Sequence, residues 1–283
     1  MSRIKSTPAS SIILVDIGNT STQAAVECAG RFILTKRIPT PGQTADDARK
    51  LLDYYVRQHD INGAMLCSVV PELDKIWMNA LKKIVGNGRV LRLNHRLNLG
   101  IKIKYPNPAT IGADRLANAA AAFEKYGVPV VAADFGTALT VDFVGKDGAY
   151  EGGIIAPGPM MFAGCLAKKT ALLPQLSLPA IRRTMLAKKN LPMIGKNTKQ
   201  AMLTGLRFGY PGLVKEIFAH IMRDPRYKSA RLCATGGYAK MALAGTGLKI
   251  DIDPFLTLRG MSLIYRLNPM SSFQDRPGRC MAR

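Results

Sequence analysis

The sequence predicts an α/β protein with a duplicated, two-domain architecture. An apolar run enters Asp134-Phe-Gly-Thr-Ala138, and a second strand-like segment leaves it. The same design surrounds Asp16-Ile-Gly-Asn-Thr20, and strands alternate with helical patterns between the two. Each motif reads as strand, tight turn, strand. Because the design occurs twice, we expect two related halves with a cleft between them.

The chemistry of these hairpins has two explanations. A single Asp-x-Gly turn is a common connection that binds nothing. Two such turns, each followed by hydroxyl residues, fit a nucleotide held by backbone N–H groups, and the glycine lets the backbone approach a ligand closely. The hydroxyl residues are Thr20, Ser21, Thr22, Thr137 and Thr140.

Composition indicates a globular protein with one large or two ordinary domains, since the 283 residues are 47% apolar. The N-terminal segment lacks the apolar stretch of a signal peptide, and no run approaches the roughly 20 residues of a membrane span. The five cysteines are scattered without a Cys-x-x-Cys pair, which argues against a zinc site or a disulfide framework. We therefore expect a cytoplasmic protein with no membrane partner.

The charge is strongly basic, with 40 Lys and Arg against 19 Asp and Glu. No acidic residue lies between Lys75 and Ala113 or between Gly152 and Lys215. The excess can attract anionic ligands or nucleic acid, or it can be a solvated surface without a partner. Few aromatic residues interleave these runs and no nucleic-acid-binding motif is present, so dedicated nucleic-acid recognition is a minority hypothesis.

The first half continues with strands and helices in alternation, which implies parallel pairing. Proline and glycine end several of them. The predicted strands are 31–38, 64–70, 90–93 and 100–104, and the predicted helices are 46–58 and 76–85.

A proline-bounded loop from Tyr105 runs into an alanine-rich helix over 115–126. Gly112-Ala-Asp-Arg115 sets a carboxylate and a guanidinium side by side at the start of that helix, where the helix dipole favours anions. The alternative is a helix-capping acid beside a surface arginine.

In the second half, the glycine-rich segment 149–158 predicts either close approach of the backbone to a ligand or a β-bulge. Thr235-Gly-Gly237 between a strand and a helix is a weak signal for an adenosine or phosphate site. The remaining predictions are helices at 159–168, 238–243 and 255–267, a helix over 198–223 broken at 209–212, a mobile or substrate-facing loop at 170–197 and a mobile tail at 268–283.

Seven motifs over about 12–267, taken together and in this order, resemble those of the type III pantothenate kinases. These enzymes start coenzyme A synthesis. They belong to the superfamily of acetate kinase, sugar kinases, Hsp70 and actin. The motifs are Asp16-Ile-Gly-Asn-Thr20, Ser68-Val-Val-Pro71, Gly112-Ala-Asp-Arg115, Asp134-Phe-Gly-Thr-Ala138 with Asp142, Glu151-Gly-Gly-Ile-Ile-Ala-Pro-Gly158, Thr170-Ala-Leu-Leu-Pro174 and Thr235-Gly-Gly237.

The resemblance implies a duplicated actin-like (ribonuclease H-like) fold with an interdomain nucleotide cleft. Residues 11–115 would form the N-terminal domain with the first phosphate loop. Residues 116–270 would form the C-terminal domain with the second phosphate loop and the dimer contacts. Residues 1–10 and 271–283 would be tails. Family members are homodimers with the pantothenate site at the subunit interface.

The resemblance also implies the residues that hold ATP. Asp16 would organise Mg²⁺, and Asp134 would ligate a monovalent cation, K⁺ or NH₄⁺. The residues implied to contact ATP are Asp16, Ile17, Gly18, Asn19, Thr20, Ser21, Thr22, Gln23 and Thr137.

For the acceptor, the resemblance implies that Asp114 is the general base for transfer of the ATP γ-phosphoryl group to the pantothenate hydroxyl, which yields 4′-phosphopantothenate. The residues implied to hold pantothenate are Tyr105, Gly112, Ala113, Asp114, Arg115 and Thr198.

Two features depart from the family pattern. Gln23 stands where several relatives carry a basic residue, and the overall charge is unusually positive. A regulatory kinase-like protein, accessory to transcription or binding nucleic acid, is therefore the alternative. The presence of both Asp114 and Asp134 argues against it, because a scaffold needs neither carboxylate.

Overall fold

The computed structural model describes residues 11–34, 37–57, 59–187 and 192–269. Within these ranges the chain forms two compact units. Unit 1 contains 11–100, 107–120 and 257–269, and unit 2 contains 101–106 and 121–256. This division places 257–269 in the first unit, whereas the sequence-based division placed 116–270 together. The predicted tails 1–10 and 271–283 lie outside the described residues.

Unit 1 is built on a six-stranded sheet with the order β3-β2-β1-β5-β6, and β4 pairs with β2. Strands β1, β2 and β3 are antiparallel, whereas β5 and β6 continue from β1 in parallel. The strands are β1 Ser11–Ile17, β2 Ser21–Cys28, β3 Arg31–Leu34, β4 Ile38–Pro39, β5 Ile61–Ser68 and β6 Arg89–Arg92. The helices are α1 Ala45–Val56, α2 Pro71–Val85 and the short 3₁₀ helix Pro108–Thr110, with α3 Ala113–Tyr126 beginning in this unit.

Unit 2 repeats this plan. Its sheet has the order β12-β11-β8-β9-β10-β7, in which β8, β9 and β10 are antiparallel and β11 and β12 follow β8 in parallel. The strands are β7 Lys102–Ile103, β8 Val130–Phe135, β9 Ala138–Val144, β10 Ala149–Pro157, β11 Arg231–Thr235 and β12 Asp251–Ile252. The helices are α4 Pro159–Lys169, α5 Leu178–Met185, α6 Thr198–Arg223 and α7 Ala239–Leu243, and α8 Leu256–Leu267 returns the chain to unit 1. The predicted α/β class and its duplication are confirmed.

One face of the unit 1 sheet packs on α1 and α2, where Leu52, Trp77 and Leu81 are fully buried. The other face is covered at the Ile12 end of β1 by α8. There the Ser262 hydroxyl donates to the buried carboxylate of Glu27 at 2.5 Å. A Cβ on Gly260 would lie 1.9 Å from the carbonyl oxygen of Ala117, so α8 and α3 cross in contact.

The structure corrects several element predictions. Asp16 and Asp134 lie inside β1 and β8, since pairing continues one residue beyond each. The predicted loop 170–197 contains α5, which buries Ile181 and Met185 and is capped by Ser177. Four of its positions, 188–191, lie outside the described residues.

Helix α6 shows no break at the predicted 209–212. Pro211 removes one helical hydrogen bond, but burial of Tyr210, Pro211 and Val214 compensates for it. In the predicted mobile tail, Asn268 is buried and its amide donates to the carbonyl oxygens of Asn98 and Ile264 at 2.9 and 2.7 Å. No helix of the described chain is long and apolar enough to cross a membrane.

Candidate active site

The first phosphate hairpin places three side chains in one row across the sheet. Asp16, the next-to-last residue of β1, is in register with Gln23 on β2 and with Cys67 on β5. Residues in register share one face of a sheet. The buried Cys67 thiol hydrogen-bonds to Asp16, and burial together with the carboxylates of Asp16 and Asp114 holds the pKa of Cys67 well above its usual value. Cys67 therefore stays a neutral donor that orients Asp16.

The turn after this row exposes its backbone. The Gly18 N–H donates to the Ser21 carbonyl at 3.1 Å, and Asn19 and Thr20 are exposed. A Cβ on Gly18 would meet only the Ser21 carbonyl oxygen, at an ordinary 3.4 Å, and Gly18 does not have a positive φ. Since neither packing nor backbone conformation requires glycine here, close approach of a ligand is the physical reason that fits.

The segment 37–43 holds this hairpin from the side. Thr40 is 2% exposed; its hydroxyl donates to the Gly18 carbonyl at 2.7 Å, and its N–H donates to the Thr20 carbonyl at 3.1 Å. The Thr40 hydroxyl also lies 2.9 Å from that of Thr22. Trp77 donates its indole N–H to the side chain of Gln43 at 2.9 Å, which anchors the segment on the core. This turn is thus held in place by hydrogen bonds within unit 1.

The predicted base, Asp114, is the second residue of α3 in the same unit. The Arg115 N–H donates to its carboxylate at 2.8 Å, and the carboxylate turns back so far that a Cβ on Gly112 would lie 2.5 Å from Oδ1. Burial raises the pKa of Asp114, although this hydrogen bond opposes the shift. Asp114 therefore accepts a helix N–H as a cap does, yet its raised pKa makes it a stronger base than an ordinary carboxylate.

The second hairpin repeats the row in unit 2. Asp134 is in register with Thr140 on β9 and with Thr235 on β11, so its carboxylate stands between two hydroxyl residues. A Cβ on Gly236 would lie 2.4 Å from Asp134 Oδ1, which means that this glycine is required by packing against the carboxylate. The weak phosphate signal at 235–237 thus has an intramolecular explanation.

The second turn resembles the first in detail. The Gly136 N–H donates to the Ala138 carbonyl at 3.0 Å, and a Cβ on Gly136 would find only ordinary contacts, at 3.6 Å. Thr137 accepts the N–H of Gly158 at 3.1 Å through its carbonyl. A Cβ on Gly158 would lie 2.3 Å from the carbonyl oxygens of Gly136 and Thr137. Gly158 is therefore a structural glycine under the turn, whereas packing does not require glycine at position 136.

Tyr105 is positioned by the glycine-rich strand β10. The register of β10 shifts between Tyr150 and Gly152, which confirms a bulge, and a Cβ on Gly152 would lie 3.3 Å from the Tyr105 ring. Tyr105 makes an edge contact with Tyr150, with ring centroids 6.2 Å apart. The Tyr150 hydroxyl donates to the buried carboxylate of Asp142 at 2.9 Å. Asp142 thus supports the ring that holds Tyr105.

The predicted site residues are divided between the units. Unit 1 contains residues 16–23 and 112–115, and unit 2 contains Tyr105, Asp134, Thr137 and Thr198. Thr198 is exposed in the first turn of α6, which Asn197 caps. Sequence reasoning missed Thr40 and Cys67. A threonine between two prolines reads as a turn, and a cysteine in an apolar strand reads as core, so neither carried a usable signal.

Comparison with known proteins identifies the family. The model of the type III pantothenate kinase family matches residues 12–220, which is more than half of the chain. The chain belongs to the type III pantothenate kinase family. It is 34% identical over 270 residues to a type III pantothenate kinase of Dehalococcoides mccartyi, covering 91% of this chain and 98% of the relative. It is 36% identical over 267 residues to one of Methylacidiphilum infernorum, covering 94% and 92%.

A solved structure supports the fold of this type III pantothenate kinase family member. MreB 5 of Spiroplasma citri, bound to AMPPNP, matches with a TM-score of 0.51 at 11% identity, covering 91% of this chain and 96% of that one. At this identity the likeness shows the fold alone. The two-domain actin-like fold implied by the motifs is confirmed.

Proposed function

We propose that this chain is a pantothenate kinase that transfers the γ-phosphoryl group of ATP to the pantothenate hydroxyl in the cytoplasm, the first step of coenzyme A synthesis. Family membership across nearly the whole chain is the observation that carries the proposal. It agrees with a fold in which the first strand of each of two hairpins has an aspartate as its next-to-last residue.

ATP binds through its phosphate groups. Backbone N–H groups of residues 17–20 and the hydroxyls of 20–22 hold phosphate oxygens, and Thr137 contributes from the second turn. Gly18 and Gly136 admit the ligand because the fold leaves space for a Cβ there. Positioning and charge are the main contributions of a protein to phosphoryl transfer.

The metal ions fit the oxygen groups near these turns. Among the described residues, no three His, Cys, Asp or Glu side chains converge on one point. Mg²⁺ fits Asp16, because this ion typically uses one or two carboxylates together with substrate phosphates and would neutralise phosphate charge. A K⁺ or NH₄⁺ ion fits Asp134, which stands in a row with two threonines.

Pantothenate binds through Tyr105, Thr198 and the start of α3. Asp114 accepts the hydroxyl proton as the phosphorus–oxygen bond forms, and its raised pKa suits this role. Arg115 holds the acceptor carboxylate. The active form is a homodimer with the acceptor site at the subunit interface, as the family resemblance implies.

An exposed apolar surface in unit 2 supports the dimer. Among the described residues, nine of the twelve exposed large hydrophobic side chains fall between Ile155 and Phe208, with Leu172 91% and Met193 74% exposed. Ile155 lies on β10, and the other eight lie on α4, α5, α6 and the segments between them. Helices α4 and α5 both pack on α6. Clusters of exposed apolar side chains of this kind are typical of subunit contacts.

The reaction is tested by ADP release from purified protein supplied with ATP, Mg²⁺ and K⁺. Pantothenate, pantetheine, glycerol and acetate are compared as acceptors. We expect turnover to depend on pantothenate. Hydrolysis that is equally fast without an acceptor, or a preference for glycerol or acetate, would overturn the proposal.

A further inference from the structure

Arg37 lies beside the first phosphate hairpin and is bound to it through Gln23. Its Nε donates to Gln23 Oε1 at 3.1 Å, and its Nη2 donates to the same oxygen. Both side chains belong to unit 1. Gln23 is the residue in register with Asp16. The guanidinium is therefore fastened to the row of side chains from which the phosphate turn begins.

We propose that Arg37 is a phosphate-binding residue, held by Gln23 so that its positive charge neutralises the phosphates of the bound nucleotide. This inference rests on the proposed function, because it requires ATP at the first hairpin. It adds a residue from outside the hairpin to the binding site.

The backbone next to Arg37 is fixed along the hairpin. Ile38 and Pro39 pair with Thr22 and Ser21 as strand β4. Thr40 then continues with its bonds to the turn carbonyls, and Gln43 ties the segment to the core through Trp77. The segment thus follows β2 towards the turn, so Arg37 lies in a defined place beside the loop.

The electrostatics suit an anion. A glutamine oxygen orients the guanidinium without neutralising it, whereas a carboxylate partner would cancel the charge. The bonds from Nε and Nη2 go to one oxygen, and Nη1 carries further N–H donors. An arginine fork matches the oxygens of a phosphate group. Because Arg37 is exposed, a nucleotide can reach it.

The first test compares Arg37→Met with Arg31→Met. Arg31 is also exposed in unit 1, on β3, and serves as the matched control. We expect Arg37→Met to raise KM for ATP about 10- to 100-fold, the usual effect of losing charge-assisted hydrogen bonds. KM for pantothenate and the melting temperature should stay the same, and Arg31→Met should match the wild type throughout.

Equilibrium binding gives a readout without turnover. In titration calorimetry, Arg37→Met should weaken AMPPNP by the same factor while leaving adenosine unchanged. The double variant Gln23→Lys with Arg37→Met places a charge on β2 itself and should recover AMPPNP affinity. Equal loss for adenosine and AMPPNP, or no loss for either, would overturn the role of Arg37. If the double variant binds AMPPNP as weakly as Arg37→Met does, a positive charge beside this hairpin does not contact the phosphates.

These outcomes are separate from failure of the proposed function. Suppose that the wild-type protein turns over pantothenate and that the KM of Arg37→Met for ATP is within about threefold of the wild-type KM. This result contradicts only the inference about Arg37. A wild-type protein that neither binds AMPPNP nor releases ADP contradicts the kinase itself. Should Arg37→Met fail to fold, Gln23→Leu removes the holder instead and is expected to weaken AMPPNP in the same direction.

Discussion

Replacing Asp114 by asparagine separates a catalytic base from a helix cap. A positioned base contributes about 10²–10⁴ in rate, which corresponds to about 3–5 kcal/mol of barrier. Asparagine keeps an oxygen that accepts the Arg115 N–H but cannot take the acceptor proton. We therefore expect kcat to fall by two to four orders of magnitude while ATP still binds.

Asp114→Asn should lower kcat without lowering the melting temperature. The folded-state pKa of Asp114 is raised by burial, so the folded state binds the proton more tightly than the unfolded state does. Its stabilising contribution is present below the ordinary pKa of 3.8 and is lost as pH rises through the raised value. At pH 7 the carboxylate therefore costs stability, and Asp114→Asn should melt at or above the wild-type temperature. This difference should shrink in acid.

Asp47 provides the matched control. It also lies in the first turn of a helix, α1, where the Thr44 hydroxyl lowers its pKa. Its stabilising effect is present above 3.8 and is lost as pH falls through the lowered value. Asp47→Asn should therefore lower the melting temperature and leave kcat unchanged.

Steady-state kinetics and thermal melts on both variants carry the test. The acidic limb of kcat/KM in the wild type should lie above pH 3.8, since the base must be ionised. Activity of Asp114→Asn within about threefold of the wild type would refute the base and leave Asp114 as a cap.

Three further predictions follow from the glycines, the cation and the exposed surface. Gly136→Ala should raise KM for ATP and leave the melting temperature unchanged. Gly158→Ala should lower the melting temperature, because its Cβ would lie 2.3 Å from two carbonyl oxygens. If both variants lower the melting temperature equally, the explanation of Gly136 by ligand approach is wrong. K⁺ or NH₄⁺ should activate more than Na⁺, and Asp134→Asn should abolish the difference; equal rates in Na⁺ and K⁺ would count against the cation. Leu166→Glu should dissociate the dimer in sedimentation equilibrium. Ile33→Glu, at an exposed position in unit 1, should not. If Leu166→Glu leaves the dimer intact, the subunit contact does not include Leu166.

The fold was predictable because its signals are local. Apolar runs with period 2 or 3.6 gave most strands and helices, and the repeated hairpin gave the duplication. Failures occurred where tertiary contacts overrode local signals. Pro211 predicted a break, but the buried helix α6 continues through it. Asn268 fell in a segment without periodicity, yet its amide donates to the carbonyl of Asn98, which is distant in sequence.

Candidate site residues can be picked out from the sequence where residue chemistry and spacing coincide. Asp16, Asp114 and Asp134 stand out as acids at strand ends or at a helix start. Residues that come together only because their strands pair could not be predicted, because a single sequence does not give the register of the strands. Cys67 is next to Asp16 only because β5 pairs with β1 in that register. Arg37 reaches Gln23 only because β4 folds back onto β2.

The two halves share a backbone plan but differ in chemistry at equivalent rows. In the first, Asp16 stands between an amide and a thiol, and the amide holds an arginine beside the turn. In the second, Asp134 stands between two threonines, and no arginine or lysine occupies either adjacent register position. A row with an added positive charge suits the polyanionic end of a nucleotide, and a row of neutral and anionic oxygens suits a cation. The two halves thus share one backbone plan, and different residues at a few register positions change the charge that stands beside each aspartate.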